Sequence, residues 1–131
     1  MKRLVIVLGM HRSGTSLTAR ISQCMGAYLG EESELMGAAL GNSDGHFENI
    51  EVVRINDSIL QSCGKEWYSL DLPKLDYSSL KIKKAIEDIK GVVRKLLEKK
   101  DLAVIKDPRI SILLPLWEKT LKELGIQTDY I

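Results

Sequence analysis

Leu4-Val5-Ile6-Val7-Leu8 is an unbroken apolar run, rich in β-branched residues, that halts at Gly9. A strand of that composition is buried on both faces, which points to a parallel sheet covered by helices. Beyond Gly14 the apolar spacing becomes helical, with Leu17, Ile21, Cys24 and Tyr28 predicted to line the inward face of one helix. A polar, Gly-rich stretch from Gly30 to Gly45 reads as a long loop. A second helix is predicted over about Glu48–Ser62, with Val52, Ile55 and Ile59 inward.

Residues Gly64 to Asp76 lack a period and read as a connector that packs Trp67 and Tyr68. The clearest helix is about Ser79–Lys99, where Ile82, Ile86, Ile89, Val93 and Leu96 step by four, three, four and three. The basic residues of this helix are mixed with Glu87, Asp88 and Glu98, so they read as a solvated outer face. Leu102-Ala103-Val104-Ile105 is a second buried strand. Pro115 suits the first turn of a helix reaching about Leu124 and ended by Gly125, and Gln127 to Ile131 begin a third strand. The alternation spells a single α/β domain over residues 1–131 with a parallel sheet flanked by helices, expected to be cut off at its third strand. The exposed edge of such a sheet would favour self-association.

Composition narrows the function classes. Of 131 residues, 44 % are hydrophobic and 28 % charged, which excludes a disordered or low-complexity chain. Lys and Arg number 19 against 18 Asp and Glu, a net charge of +1 that does not suit a dedicated nucleic-acid binder. No apolar stretch reaches the roughly 18 residues of a membrane span. Cys24 and Cys63 make no disulfide framework and are expected to be buried, reduced thiols, consistent with a cytoplasmic setting.

The chemistry is concentrated in Gly9-Met10-His11-Arg12-Ser13-Gly14-Thr15-Ser16, between a buried strand and an amphipathic helix. Set against the phosphate-binding pattern G-x-x-x-x-G-K-S/T, Gly9, Gly14 and Ser16 fit, Thr15 takes the lysine position, and the positive charge moves to Arg12. Gly14 permits the tight turn and the helix start offers amide groups and a positive dipole end to an anion. Ser13, Thr15 and Ser16 add hydroxyl donors, and Arg12 adds a forked cation. The lysine that reaches the outer phosphates of a nucleoside triphosphate is missing. Only Asp107 stands where a magnesium-holding carboxylate would be sought, so a metal-free site for one 5′-phosphate and an adjacent anionic group fits better.

This loop resembles the 5′-phosphosulfate-binding loop of the sulfotransferase family, in the branch whose loop reads RSGT and which includes protein-tyrosine sulfotransferases. Lys106-Asp107-Pro108-Arg109 is similar to the KDP segment of that branch, and Gly45-His46-Phe47-Glu48-Asn49 resembles its acceptor-side segment. The resemblance implies a P-loop-type sheet and transfer of a sulfuryl group from 3′-phosphoadenosine 5′-phosphosulfate to a hydroxyl or amine acceptor, without a metal. It places the donor on His11, Arg12, Ser13, Gly14, Thr15 and Ser16. It implies Arg12 and Lys106 as stabilisers of the transition state and Glu48 as the base, with His46 the rival base. The family's 3′-phosphate site follows the third strand, so the chain is expected to be the N-terminal portion of such a domain. Two other classes stay open: a magnesium-dependent nucleotide kinase or triphosphatase with a degenerate loop, and a nucleotide-binding or assembly module without turnover. In bland terms, Arg12 also suits a helix-start surface residue, Glu48 a helix-start acid and Lys106 a strand-end cap beside Asp107.

Overall fold

A computed structural model describes residues 1–9, 14–35, 48–65 and 71–131. In chain order the elements are β1 (Arg3–Val7), α1 (Thr15–Cys24), a single 3-10 turn (Glu32–Glu34), α2 (Ile50–Ser62), α3 (Leu80–Lys99), β2 (Leu102–Lys106), α4 (Pro108–Ile112), α5 (Leu114–Leu124) and β3 (Gln127–Tyr130). The fold is mixed α/β: a small three-stranded parallel sheet flanked by helices.

The sheet order is β2-β1-β3, with Val5 level with Val104 on one side and with Asp129 on the other. Tyr28 adds one parallel bridge beyond β2: its N–H donates to the Leu102 carbonyl and its own carbonyl accepts from Val104 N–H, both at 2.9 Å. The strand with the most continuous apolar run therefore lies innermost. Its side chains alternate between two cores, as the period of a strand demands. Leu4 and Ile6, with Ala103 and Ile105 of β2, meet α2, α3 and α5 in the larger core, where Ile59, Ile89, Leu97, Leu116 and Trp117 are buried. Val7 and Val104 turn to the other face, onto Ala19 of α1 and onto Ala27 and Leu29.

Local chemistry sets the helix ends. Asn49 caps α2, its side chain accepting from Glu51 N–H at 3.0 Å and Val52 N–H at 3.2 Å, so the helix starts two residues later than the spacing suggested. Ser79 caps α3 by accepting from Ile82 N–H at 3.2 Å. The expected apolar stripe of α3 is buried throughout, and its lysines other than the half-buried Lys90 are exposed, where Lys84 meets Asp88 at 2.7 Å and Lys95 meets Glu34 at 2.8 Å. Gly125 ends α5 in the left-handed region, at φ 66°.

Several expectations fail. Leu17 and Ile21 do not face inward: they are 64 % and 51 % exposed, whereas Ala19 is fully buried. Ala19 lies two residues from each, about 200° around a helix, so α1 turns its small residue to the sheet and approaches it closely. Tyr28 lies outside α1, which closes at Cys24. Cys24 is exposed and Cys63 half-buried, so neither is a core thiol. The stretch expected as a long loop from Gly30 contains the 3-10 turn, and α4 is an additional helix; residues 36–45 of that stretch, with Trp67 and Tyr68, lie outside the described residues. Among the described residues, no helix is long and apolar enough to cross a membrane.

Ile89 is fully buried in the larger core. Ile89→Ala is expected to cost about 2–5 kcal/mol in urea unfolding, while Lys83→Ala on the solvated face of α3 should stay within about 0.5 kcal/mol.

Candidate functional site

A parallel strand that hands over to neighbours on both sides leaves a crevice outside its carboxyl end, where open α/β sheets place ligands. β1 is such a strand, because the chain runs from it to β2 on one side and returns to β3 on the other. At that end Gly9 takes φ 131° and Gly14 takes φ 87°, both in the range that favours glycine. A Cβ at Gly14 would meet nothing within 4 Å, so backbone conformation, not space, requires the glycine. Gly14 then caps α1 without a side chain: its carbonyl accepts from Thr18 N–H and from the Thr18 hydroxyl, both at 3.1 Å. Thr15 and Ser16 open the helix, whose first amides lack acceptors within the helix. The side-chain roles of Thr15 and Ser16, and the residues His11, Arg12, Ser13 and His46, lie outside the described part of the structure.

Two of the expected catalytic side chains do come together. Lys106 is the last residue of β2, level with Val7 at the end of β1. Its Nζ donates to the Glu48 carboxylate, and the two residues are 2 % and 0 % exposed. Glu48 is not a helix-start acid. It stands just before the cap Asn49, and Glu51 occupies the first turn of α2. An antiparallel bridge between Leu35 and Asn49 holds this approach to the helix.

Asp107 follows Lys106 and is itself fully buried. One carboxylate oxygen accepts from Arg109 N–H at 3.2 Å, capping α4, and from Arg109 Nη1 at 2.9 Å. The other accepts from Asn56 Nδ2 at 2.8 Å. Asn56 Oδ1 in turn accepts from Trp117 Nε1 at 2.9 Å, and Arg109 Nε donates to Asp57 at 2.6 Å. Burial disfavours the Arg109 charge, but the carboxylates of Asp107 and Asp57 outweigh it and hold the guanidinium above its ordinary pKa. From α4, Ser111 Oγ accepts the Gly9 N–H at 2.9 Å, across 102 residues of sequence.

Sequence reading missed Asn56, Asp57 and Ser111, and quoted Arg109 without giving it a role. Signals for part of this set were present. Asn56 is a polar residue on the inward face that Val52, Ile55 and Ile59 define, and Asp107-Pro108 has the form of a cap followed by a first-turn proline. Comparison with known proteins gives no match to a family model, to a curated protein or to a solved structure.

The Lys106–Glu48 pair yields a stability prediction. Truncating either partner alone leaves a buried charge without the opposite charge it faces, so Lys106→Ala should cost about 3–5 kcal/mol. Replacing both with leucine is expected to cost less than the sum of the single changes in a urea-unfolding cycle.

Proposed function

We propose that this chain is a sulfuryl-transfer domain, with the donor's 5′-phosphosulfate held where β1 turns into α1. The observation that carries the reading is the buried contact of Glu48 with Lys106 at the neighbouring strand end. Two side chains far apart in sequence, one expected to stabilise the transferring group and the other to take the acceptor's proton, meet beside the carboxyl end of β1. The order β2-β1-β3, with a glycine-bounded turn after the central strand, also supports a P-loop-type sheet.

In this reading the amides at the start of α1 and the Arg12 guanidinium receive the negative charge of the donor. The acceptor hydroxyl attacks sulfur, a new S–O bond forms, and the bond from sulfur to the 5′-phosphate oxygen breaks, its electron pair leaving with the phosphate. Lys106 faces the equatorial oxygens, and Glu48 takes the acceptor's proton. Both side chains are buried, so in this reading they must become accessible before substrates can reach them. Asp107, the carboxylate a magnesium-dependent triphosphatase would call on, has one oxygen engaged by Arg109 and the other by Asn56. That engagement supports metal-independent binding. The complete burial of the Lys106–Glu48 pair favours one rival, a nucleotide-binding module in which the pair is structural.

Thermal unfolding with 3′,5′-adenosine bisphosphate, and with ATP in the presence and absence of magnesium, separates the classes. The bisphosphate at a hundred times its dissociation constant should add about 2.7 kcal/mol, a shift of several degrees, independent of magnesium. Stabilisation by ATP only with magnesium would overturn the proposal in favour of a kinase or triphosphatase. Sulfuryl transfer from the full donor to a panel of hydroxyl acceptors then separates enzyme from binding module. Arg12→Ala should lower any such turnover by on the order of a hundredfold or more.

A further inference from the structure

α4 is five residues long and emerges directly from the strand that carries Lys106. A helix this short gains little from its own hydrogen bonds, so its position is set by what it is tied to. At its start, Asp107 caps it and binds Asn56 of α2. Near its end, Ser111 accepts the N–H of Gly9, the residue at which β1 hands over to the phosphate-binding turn. Gly9 holds φ 131°, and a glycine has more backbone conformations open to it than any other residue, so an outside contact is what narrows its choice. Its neighbour Leu8 is already fixed in the sheet, donating to the Ile131 carbonyl at 2.8 Å. The Ser111 contact is thus the first restraint on the turn after the sheet ladder ends.

We propose that Ser111 is a positioning residue for this turn: by accepting the Gly9 N–H it ties the start of the turn to α4, and so keeps it in register with Lys106. The inference rests on the sulfuryl-transfer reading for its functional consequence, but the latch itself does not. Without it, Gly9 would sample other conformations, and an anion would bind only the fraction of molecules in the competent one.

Amide hydrogen exchange by NMR on the unliganded chain tests the latch directly. Ser111→Ala should speed exchange at Gly9 about tenfold or more while Leu8 is unchanged, and Ser111→Thr, which keeps the hydroxyl, should restore protection. Calorimetric titration with 3′,5′-adenosine bisphosphate tests the consequence. Ser111→Ala is expected to weaken binding about five- to tenfold, equivalent to about 1–1.4 kcal/mol, with recovery in Ser111→Thr. Thr120→Ala serves as the structural control, since its buried hydroxyl donates to the Leu116 carbonyl within α5. That variant should lower Tm without changing affinity. Unchanged Gly9 exchange in Ser111→Ala overturns the latch. Faster exchange with unchanged affinity overturns its role in the site. A wild-type chain that does not bind the bisphosphate overturns the sulfuryl-transfer reading and leaves the latch to stand or fall on the exchange rates.

Discussion

A carboxylate with no exposed surface must be matched by donors from whatever surrounds it, and Asp107 draws those donors from α2 and α4. Asn56 carries the connection onward to Trp117 of α5, and Arg109 carries it back to Asp57 of α2. Three helices on the same face of the sheet are thereby tied at one point, immediately after the last residue of β2. Apolar packing of α2, α3 and α5 is non-directional and tolerates sliding. The hydrogen-bond chain through Asp107 does not, because each member has few partners and a defined geometry. This buried group fixes where the carboxyl end of β2 lies relative to the beginning of α2, and hence where Lys106 lies relative to Glu48.

The Lys106–Glu48 contact has to be weighed in that light. Removing two charges from water costs several kcal/mol per ion, and their attraction offsets this only when geometry is good. An apolar pair would fill the same space more cheaply, so stability alone gives weak grounds for two charges here. Under the sulfuryl-transfer proposal, a site that must meet an anion and accept a proton gives stronger ones. The cation and the carboxylate then stand ready without solvent reorganisation when the group in transit arrives.

The sequence made the sheet legible because burial on both faces leaves a plain mark: Leu4 to Leu8 and Leu102 to Ile105 are apolar without alternation, and both are strands. The stripe of α3 was as clear, since twenty residues give the helical period room to repeat. α1 was misjudged because its periodicity marks an apolar face, not the face that docks. The sheet took Ala19, and the larger residues opposite were left outward. At the site, Lys106 and Glu48 could be singled out by resemblance, but their contact depends on how α2 packs against the sheet, which no local pattern encodes. Ser111 was invisible for the same reason: its partner is the backbone of Gly9, and a backbone amide has no sequence signature.

The same geometry bears on the proposed metal-free transfer. In phosphoryl transfer the group in transit carries negative charge, and a divalent cation commonly helps to neutralise it. A sulfuryl group in transit is formally neutral, so the charge that needs stabilising gathers mainly on the departing 5′-phosphate. In the proposed reaction a helix start contributes about half an elementary charge and one guanidinium a full charge, while the Lys106 ammonium is balanced by Glu48 until Glu48 takes the acceptor's proton. Here the helix start and Lys106 stand at the ends of adjoining elements, α1 following β1 and Lys106 level with Val7. The carboxylate at Asp107, committed to holding the helices together, is kept from a second duty as a metal ligand. Under this reading, one buried acid serves the architecture and the other, Glu48, serves the chemistry. Lys106, next to Asp107 in sequence and in contact with Glu48, links the two.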